Sequence, residues 1–529
     1  MDRFGWTPRE VVAVVAVMLL ATLVRLDASR APLSSDEVWV MAGSAGNGRL
    51  SETADRMVVV AHPPQSLTTA NTPRFTWQHG VPFHPPLHPA TLRLWREWIA
   101  DSDGSARLYS ALWSLLAIAM TLLAVRAQVG TGLACLTAGI LAVAPVQVHL
   151  GTEIRGYAMA MAMAATAVWL IVRIEQSGAT VRRVLALGGL TLPLMLTHYL
   201  AAGSCLAIVV WGGLRLPRKS FLQLLVAVAL SAALFLLVWG QAMSQDTPSG
   251  IPGFLQGDAT SWRSVLRATV TLPWRLLTYR QRGWLPLVLG ALCLVPLGLV
   301  FLRRARHALP WVLFLALPIV VVLGLDLVRG TQLLTVTRYL ATAAIGVPAA
   351  LLVATAAVSR RVAWGTGLLL LGALAVSRPT AGRQIGSPFF HQIVDRFAPI
   401  IQQDHAPSPI VVHDHQVRLL DFFAHGVVMQ FLHAGVVGRP MMRLKSEQGV
   451  ARLLASLPPG APFWFVTSDE GPVPAGLPEP FAPLGSRLEV VRGPIRQTRL
   501  RGGFSERPGG RLYQLRFRPA AALVAGAPP

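Results

Sequence analysis

Asp36 and Glu37 stand side by side in Leu33-Ser34-Ser35-Asp36-Glu37-Val38-Trp39, just after an apolar run that closes near residue 26. An ionisable pair at a lipid boundary is costly to keep dry, so it faces a polar cavity or water. A carboxylate within hydrogen-bond reach of a hydroxyl or amine can take its proton and make it a nucleophile. Asp36 is the residue to which we give that task. Glu37 has three readings: it orients Asp36, holds a divalent metal with it, or binds an acceptor. Two neighbouring carboxylates repel, which calls for a nearby cation. The plain alternative is a pair of hydrated loop charges.

Four further stretches carry residues that could complement a carboxylate: His84-Pro85-Pro86-Leu87-His88-Pro89, Thr152-Glu153-Ile154-Arg155-Gly156-Tyr157, Thr197-His198-Tyr199 and Thr337-Arg338-Tyr339. Guanidinium groups suit bidentate contact with phosphate. Arg155 and Arg338 each lie just inside the end of an apolar run, where a lone hydrated charge has little reason to stay. Tyr157 and Tyr339 add hydroxyls. The competing readings are snorkelling toward lipid headgroups and, for Arg155, pairing with Glu153. His198 and Tyr199 either reach the same place or form a satisfied helix end. A metal site needs three or four converging ligands. His84 with His88 and His413 with His415 supply only pairs, so structural or hydrogen-bonding roles are expected for all four. Asp469-Glu470 reads as a loop after a strand, with no nucleophile or Gly-rich phosphate loop beside it.

The elements that must position these residues are membrane helices. Of 529 residues, 53% are hydrophobic and 14% charged, the balance of a chain that sinks most of itself into lipid. A net charge of +22 often points to nucleic acid, but the arginines sit mostly at the ends of apolar runs, so no nucleic-acid partner is expected. Cys135, Cys205 and Cys293 all fall inside apolar runs and build neither a disulfide framework nor a zinc motif.

About eleven apolar segments approach the ~20 residues that a bilayer demands: 8–26, 108–125, 132–149, 156–173, 184–197, 199–214, 221–240, 284–302, 308–326, 338–358 and 362–378. The first resembles a signal peptide without a small-residue cleavage site before the acidic pair, and is expected to stay as a span. The fifth and sixth are short and are expected to form a hairpin. With a cytoplasmic N-terminus, the inside turns carry Arg3 and Arg9, Arg126, Arg173 with Arg182 and Arg183, Arg215 with Arg218 and Lys219, Arg303 with Arg304 and Arg306, and Arg360 with Arg361. Each such turn is basic, as the positive-inside rule requires. All the polar stretches then fall on the opposite, extracytoplasmic face.

The sequence thus divides into a membrane domain over 1–378 and a soluble extracytoplasmic α/β domain over 379–529. Within the first, 27–107 forms a large outer loop and 241–283 a second. After the stiff 84–89 turn, Leu92, Trp95, Trp98 and Ile99 recur at helical spacing opposite Arg93, Arg96 and Glu97, the pattern of an interfacial amphipathic helix. In the tail, Ile410–Val412, Trp464–Val466, Leu488–Val491 and Leu512–Leu515 read as strands, with helical patterns near 416–434 and 447–457. The tail is expected to position an acceptor rather than to do chemistry.

An acidic pair after the first span, then His84-Pro85-Pro86-Leu87, Thr152-Glu153-Ile154-Arg155-Gly156-Tyr157-Ala158, Thr197-His198-Tyr199 and Thr337-Arg338-Tyr339-Leu340, in this order, resembles bacterial family-39-type glycosyltransferases of the GT-C fold. That group includes protein O-mannosyltransferases, the lipid A aminoarabinose transferase and the rhizobial galacturonic acid transferases. The likeness covers about residues 5–378 and extends more loosely to the tail. It implies a mostly α, polytopic membrane protein with membrane-parallel helices in the first outer loop. It also implies transfer of a sugar from a polyprenyl-phosphate carrier to a lipid, glycan or protein acceptor at the inner membrane's outer face. Asp36 matches the group's catalytic aspartate and Glu37 its acidic neighbour. His84 is kept in the mannosyltransferases, whereas the aminoarabinose enzyme has Lys, and Gly156 stands where many relatives have Pro.

The chemistry agrees with that implication. A polyprenyl phosphate is already a good leaving group, so one base suffices, unlike the two carboxylates of the hydrolases. Inversion follows from attack opposite the leaving phosphate, whose charge Arg155 and Arg338 would meet. A transporter or flippase of lipid-linked sugars is the rival class, yet no halves repeat and the runs carry almost no mid-depth charge. A lipid-linked oligosaccharide ligase or polymerase is the third.

Overall fold

A computed structural model describes residues 6–46, 57–59, 63, 65–67, 84–245, 262–278, 285–295, 298–299, 306–331, 333–381, 389–404, 408–413, 423–444, 447–457, 460–468, 488–497 and 510–517. In chain order the helices are α1 (Pro8–Ala28), α2 (Ser35–Ser44), α3 (Leu87–Trp98), α4 (Asp103–Val129), α5 (Thr131–Val143), α6 (Pro145–Thr152), α7 (Tyr157–Ser177), α8 (Val181–Gly189), α9 (Thr191–Thr197), α10 (Ala202–Arg215), α11 (Arg218–Gln245), α12 (Trp262–Thr278), α13 (Leu285–Cys293), α14 (Leu309–Arg329), α15 (Ala341–Ala344), α16 (Gly346–Ala356), α17 (Arg360–Ala381), α18 (Phe389–Gln402), α19 (Phe423–His433) and α20 (Glu447–Ser456). The strands are β1 (Val58–Val59), β2 (Ile410–His413), β3 (Pro440–Leu444), β4 (Pro462–Ser468), β5 (Leu488–Gln497) and β6 (Gly510–Phe517).

The chain forms two compact units. One comprises 1–31, 83–251 and 255–385; the other comprises 32–82, 252–254 and 386–529. The helical unit is cored by small and aliphatic residues. Ala158, Ala162, Ala165 and Val168 of α7 pack with Ala117, Leu122 and Val125 of α4, their small side chains letting the two backbones approach closely. The outward faces of α1 and α11 stay apolar and exposed, as lipid-facing helices require.

Six helices are long and apolar enough to cross a membrane: Pro8–Ala28, Asp103–Val129, Tyr157–Ser177, Arg218–Gly240, Arg306–Arg329 and Thr337–Ala356. A seventh arises if α5 and α6, bent by 66°, count as one broken span. The chain is therefore a multi-span membrane protein, but the expected eleven are not reached among the described residues. Segment 184–197 breaks at Leu190 into two short helices, and 199–214 opens on a tight 3-10 turn and stays short. Apolar composition alone did not reveal these breaks, since Gly189 and Pro193 interrupt the helix without lowering the hydropathy much.

The second unit is a six-stranded mixed sheet in the order β1-β3-β2-β4-β6-β5. Strands β3, β2 and β4 run parallel; the others are antiparallel. Ile410 and Val412 of β2 face a core with α18 and α19, while Val411 faces a second core with α20. A strand covered on both faces has no polar side, which is why β2 reads as an unbroken apolar run. All four expected strands are present, and α19 and α20 fall within the expected helical patterns. Strand β3, with Pro440 and Arg443, and the two-residue β1 escaped the pattern search.

The expected helix α3 is present but starts at Leu87, inside the 84–89 stretch expected to be a turn. Pro86 is its N-cap and Pro89 falls in its first turn, where no N–H is needed; its arginines are not on a solvent face. Arg93 and Arg96 are buried with Leu92, Arg93 pairing with Glu97 and Arg96 with Asp101 at 2.6 Å. Trp98 and Ile99, expected on the apolar face of an interfacial helix, are 76% and 61% exposed. Internal ion pairs let the arginines go in, and the large apolar tip is left outward, where an interface can take it.

Candidate functional site

Asp36 and Glu37 open helix α2 in the second unit. Ser34 is the N-cap: its Oγ accepts from Glu37 N at 3.2 Å, and Glu37 Oε2 accepts from Ser34 N at 2.8 Å. This reciprocal capping box satisfies two amide groups that a helix start leaves open. Leu33 and Val38, at the two positions that a hydrophobic staple joins, are both buried. Glu37 is buried with them, whereas Asp36 is half-buried one residue earlier in the same turn. The first turn of a helix favours negative charge. Of the three sequence readings of Glu37, the geometry fits orientation of the Asp36 segment.

The box engages Glu37 Oε2 with the Ser34 amide. Among the described residues no three His, Cys, Asp or Glu side chains group as a metal ion would need.

The cationic residues belong to the helical unit, and their position starts from a broken helix. Helix α5 stops at Ala144, and Pro145 lacks the N–H that would have bonded Leu141 O. Buried Arg25 of α1 meets the break: its Nη1 donates to Ala142 O at 3.2 Å and its Nη2 to Leu141 O at 3.5 Å. Its Nε donates to Ser114 Oγ at 2.8 Å. Gly151 of α6 lies against this pair, since a Cβ there would sit 2.4 Å from Ser114 Oγ and 3.3 Å from Arg25 Nε. The bend directs α6 into the Glu153–Gly156 turn.

In that turn Glu153 Oε1 lies 3.6 Å from Arg155 Nε, and Glu153 Oε2 lies 3.7 Å from His149 Nε2. Arg155 Nη1 donates to the Tyr157 hydroxyl at 3.3 Å. The Tyr157 ring meets the His198 ring at 5.4 Å, and His198 stacks on Tyr199 at 5.6 Å and 16°. Gly156 makes this approach feasible: a Cβ there would come within 2.9 Å of Thr197 O and 3.5 Å of His88 Cβ.

Arg338 and Tyr339 sit in a 3-10 turn, Thr337–Leu340, that touches the Tyr199–Ala201 turn. Arg338 lies over the Tyr339 ring at 5.8 Å. Burial first, then the charges of Arg155 and Arg338, push His198 down to about 4. Burial, then Arg155, push His88 down to about 3. Both imidazoles are thus neutral at pH 7, and the cluster's net charge comes from its two guanidinium groups against Glu153.

Arg155, Arg338, Tyr157, Tyr339, His198, Tyr199 and Glu153 are therefore brought together within one unit. His84 lies half-buried in the bend before α3, and His88 is buried against Tyr109 with ring centroids 5.7 Å apart. His413 ends β2 and stacks on Phe465, while His415, Asp469 and Glu470 lie outside the described residues.

Among solved structures the chain is similar to ArnT from Cupriavidus metallidurans in the apo state: 16% identical, covering 94% of this chain and 97% of that one, TM-score 0.45. It is also similar to the same protein bound to undecaprenyl phosphate, at 16% identity, 95% and 97% coverage and TM-score 0.42. A third is the Archaeoglobus fulgidus oligosaccharyltransferase in complex with Zn and sulfate, at 12% identity, 86% and 68% coverage and TM-score 0.43. No protein-family model and no curated protein matches the chain.

Three positioning groups were missed in the sequence. Arg25 looked like one more flanking arginine. Asp326 of α14 accepts from Thr331 Oγ1 at 2.6 Å, Leu333 N at 2.7 Å and Leu334 N at 2.8 Å, fixing the chain that leads to Arg338. Arg275 of α12 donates to Thr335 O in the same lead-in. Arg25 and Arg275 act across 60 to 117 residues of sequence, beyond any local pattern, whereas Asp326 reaches only five to eight residues on.

Proposed function

We propose that the chain is an inverting membrane glycosyltransferase that moves a sugar from a polyprenyl-phosphate carrier to a lipid, glycan or protein acceptor on the outer face of the inner membrane. The basic turns support a cytoplasmic N-terminus and an extracytoplasmic C-terminal domain. The observation that carries the reading is the cluster of buried Arg155, Tyr157 and His198 with exposed Tyr199 and the half-buried Arg338 and Tyr339 of the 337–340 turn. It presents two guanidinium groups, hydroxyls and neutral imidazoles around one carboxylate, a set suited to a phosphate that gains charge as it leaves.

In this reading Asp36 takes the proton from the acceptor hydroxyl or amine as that atom attacks the anomeric carbon. The bond between the anomeric carbon and the phosphate oxygen breaks, and the carrier departs as polyprenyl phosphate with its electron pair. Arg155 and Arg338 meet the growing negative charge, assisted by Tyr339 and His84. Glu153 and Tyr157 hold Arg155, and His198 with Tyr199 close the cluster's wall. No step is routed through a metal.

The test begins with mass spectrometry of envelope glycolipids and glycans from cells with and without the protein. One missing sugar-sized increment names donor and acceptor. Purified protein in vesicles is then given the labelled carrier-linked sugar. Transfer of label to the acceptor supports the proposal, whereas movement of the carrier across the bilayer without product replaces it with transport.

A further inference from the structure

Gln430 belongs to α19, in the part of the chain expected only to position an acceptor. Its side chain is 1% exposed, and its Nε2 donates to Leu33 O at 2.9 Å. Leu33 is the residue before the N-cap of α2, so this bond fixes the chain where it enters the helix that carries Asp36. Helices α2 and α19 also pack on one another, with Val38, Met41, Val427 and Phe431 all buried. The capping box sets the internal shape of the first turn, but a box alone does not anchor a ten-residue helix to anything. Gln430 supplies the anchor, and a buried amide given up to a single backbone oxygen has no other evident use.

We infer that Gln430 is a positioning residue for Asp36. The C-terminal domain therefore acts in the chemical step as well as in acceptor binding. The inference rests on the reading of Asp36 as the base. A misplaced base lowers the rate of proton removal while leaving the carrier's own contacts intact, so the expected signature is confined to turnover.

The experiment uses the full chain in vesicles with the carrier-linked sugar identified above, comparing wild type, Gln430→Met and Asp36→Asn. Methionine keeps length and volume but offers no N–H. The expected result for Gln430→Met is turnover lowered about tenfold, half-saturating donor concentration within about twofold of wild type, and faster amide hydrogen exchange at 34–38. Unchanged turnover, or a loss explained by weaker donor binding, overturns the inference. Unchanged exchange at 34–38 overturns it too, because the bond then holds nothing. Asp36→Asn separates the two claims. If that variant turns over normally the base reading falls, while the exchange measurement still reports whether Gln430 secures α2.

Discussion

The carboxylate and the guanidinium groups are held in place by different kinds of bond. Asp36 rides on a helix start whose order comes from Ser34 and Glu37, each side chain answering the other's backbone N–H three places away. Arg155 rides on a turn whose place depends on Arg25, Ser114 and Gly151, drawn from three different helices. Arg338 depends likewise on Asp326 and Arg275. One region is shaped locally and then anchored by Gln430 and by packing on α19; the other is tertiary from the outset. Local capping orders a helix end cheaply but aims it loosely, whereas a bent, cross-braced helix aims a charge tightly and fails as a whole when one brace goes.

The largest expected effect removes the proposed base itself. Asp36→Asn should lower turnover about 10²- to 10⁴-fold with normal membrane insertion, measured by label transfer in vesicles. The local box should not care, since Asp36 is not one of its two partners. Arg338→Ala and Arg155→Ala come next, each lowering turnover about 10²- to 10³-fold and raising the donor concentration needed. If either variant keeps both parameters, that arginine is a headgroup anchor.

Gly156→Ala tests the braced region without touching a charge. Its new methyl meets a backbone oxygen, Thr197 O, so a cost of about 1–3 kcal/mol is expected in thermal unfolding. The same substitution at Gly189, where a new methyl would meet nothing within 4 Å, should cost far less, and equal costs would remove the steric reading of Gly156.

The smallest effect is one of pH. His198 and His88 titrate at about 4 and about 3 in the folded protein, against about 6.5 when unfolded. Below pH 6.5 the unfolded chain therefore binds more protons, and stability falls until pH passes below the folded values. Replacing His198 with Gln should flatten part of that decline between about pH 6.5 and 4, read as melting temperature against pH. An unchanged slope would mean that His198 is not held neutral by its neighbours.

The order and spacing of the chemical residues were legible because apolar runs bring their ends to two faces of a membrane. Arg155, Tyr157, His198, Tyr199 and the 337–340 turn do share one unit, as the polar stretches implied. The capping contact of Glu37 was also within reach, since Ser34-Ser35-Asp36-Glu37 carries the spacing of a capping box; attention to its charge hid its geometry. The helix breaks near Leu190 and Ala144 follow from Gly189, Pro193 and Pro145, and the inward turn of Arg93 and Arg96 from acidic partners four and five residues on, local cues that apolar patterning passes over. The link from Gln430 to Leu33 left no local trace, since it spans 397 residues. A periodicity shows which side of a helix is oily, but not that an ion pair has made the other side fit to bury.

Arg25 has one more implication, for the order of assembly. Among the described residues its hydrogen-bond partners are uncharged oxygens of Ala21, Ser114, Leu141 and Ala142. Three of these are not yet synthesised when α1 first enters the bilayer. Until they arrive, a cation near the end of that helix must stay hydrated, at a cost of about 3 kcal/mol if forced to mid-depth. Helix α1 buries only Ala21 and Arg25. The full set of partners for this guanidinium therefore exists only once α4 and the bend have been made, so α1 cannot complete its packing before they are.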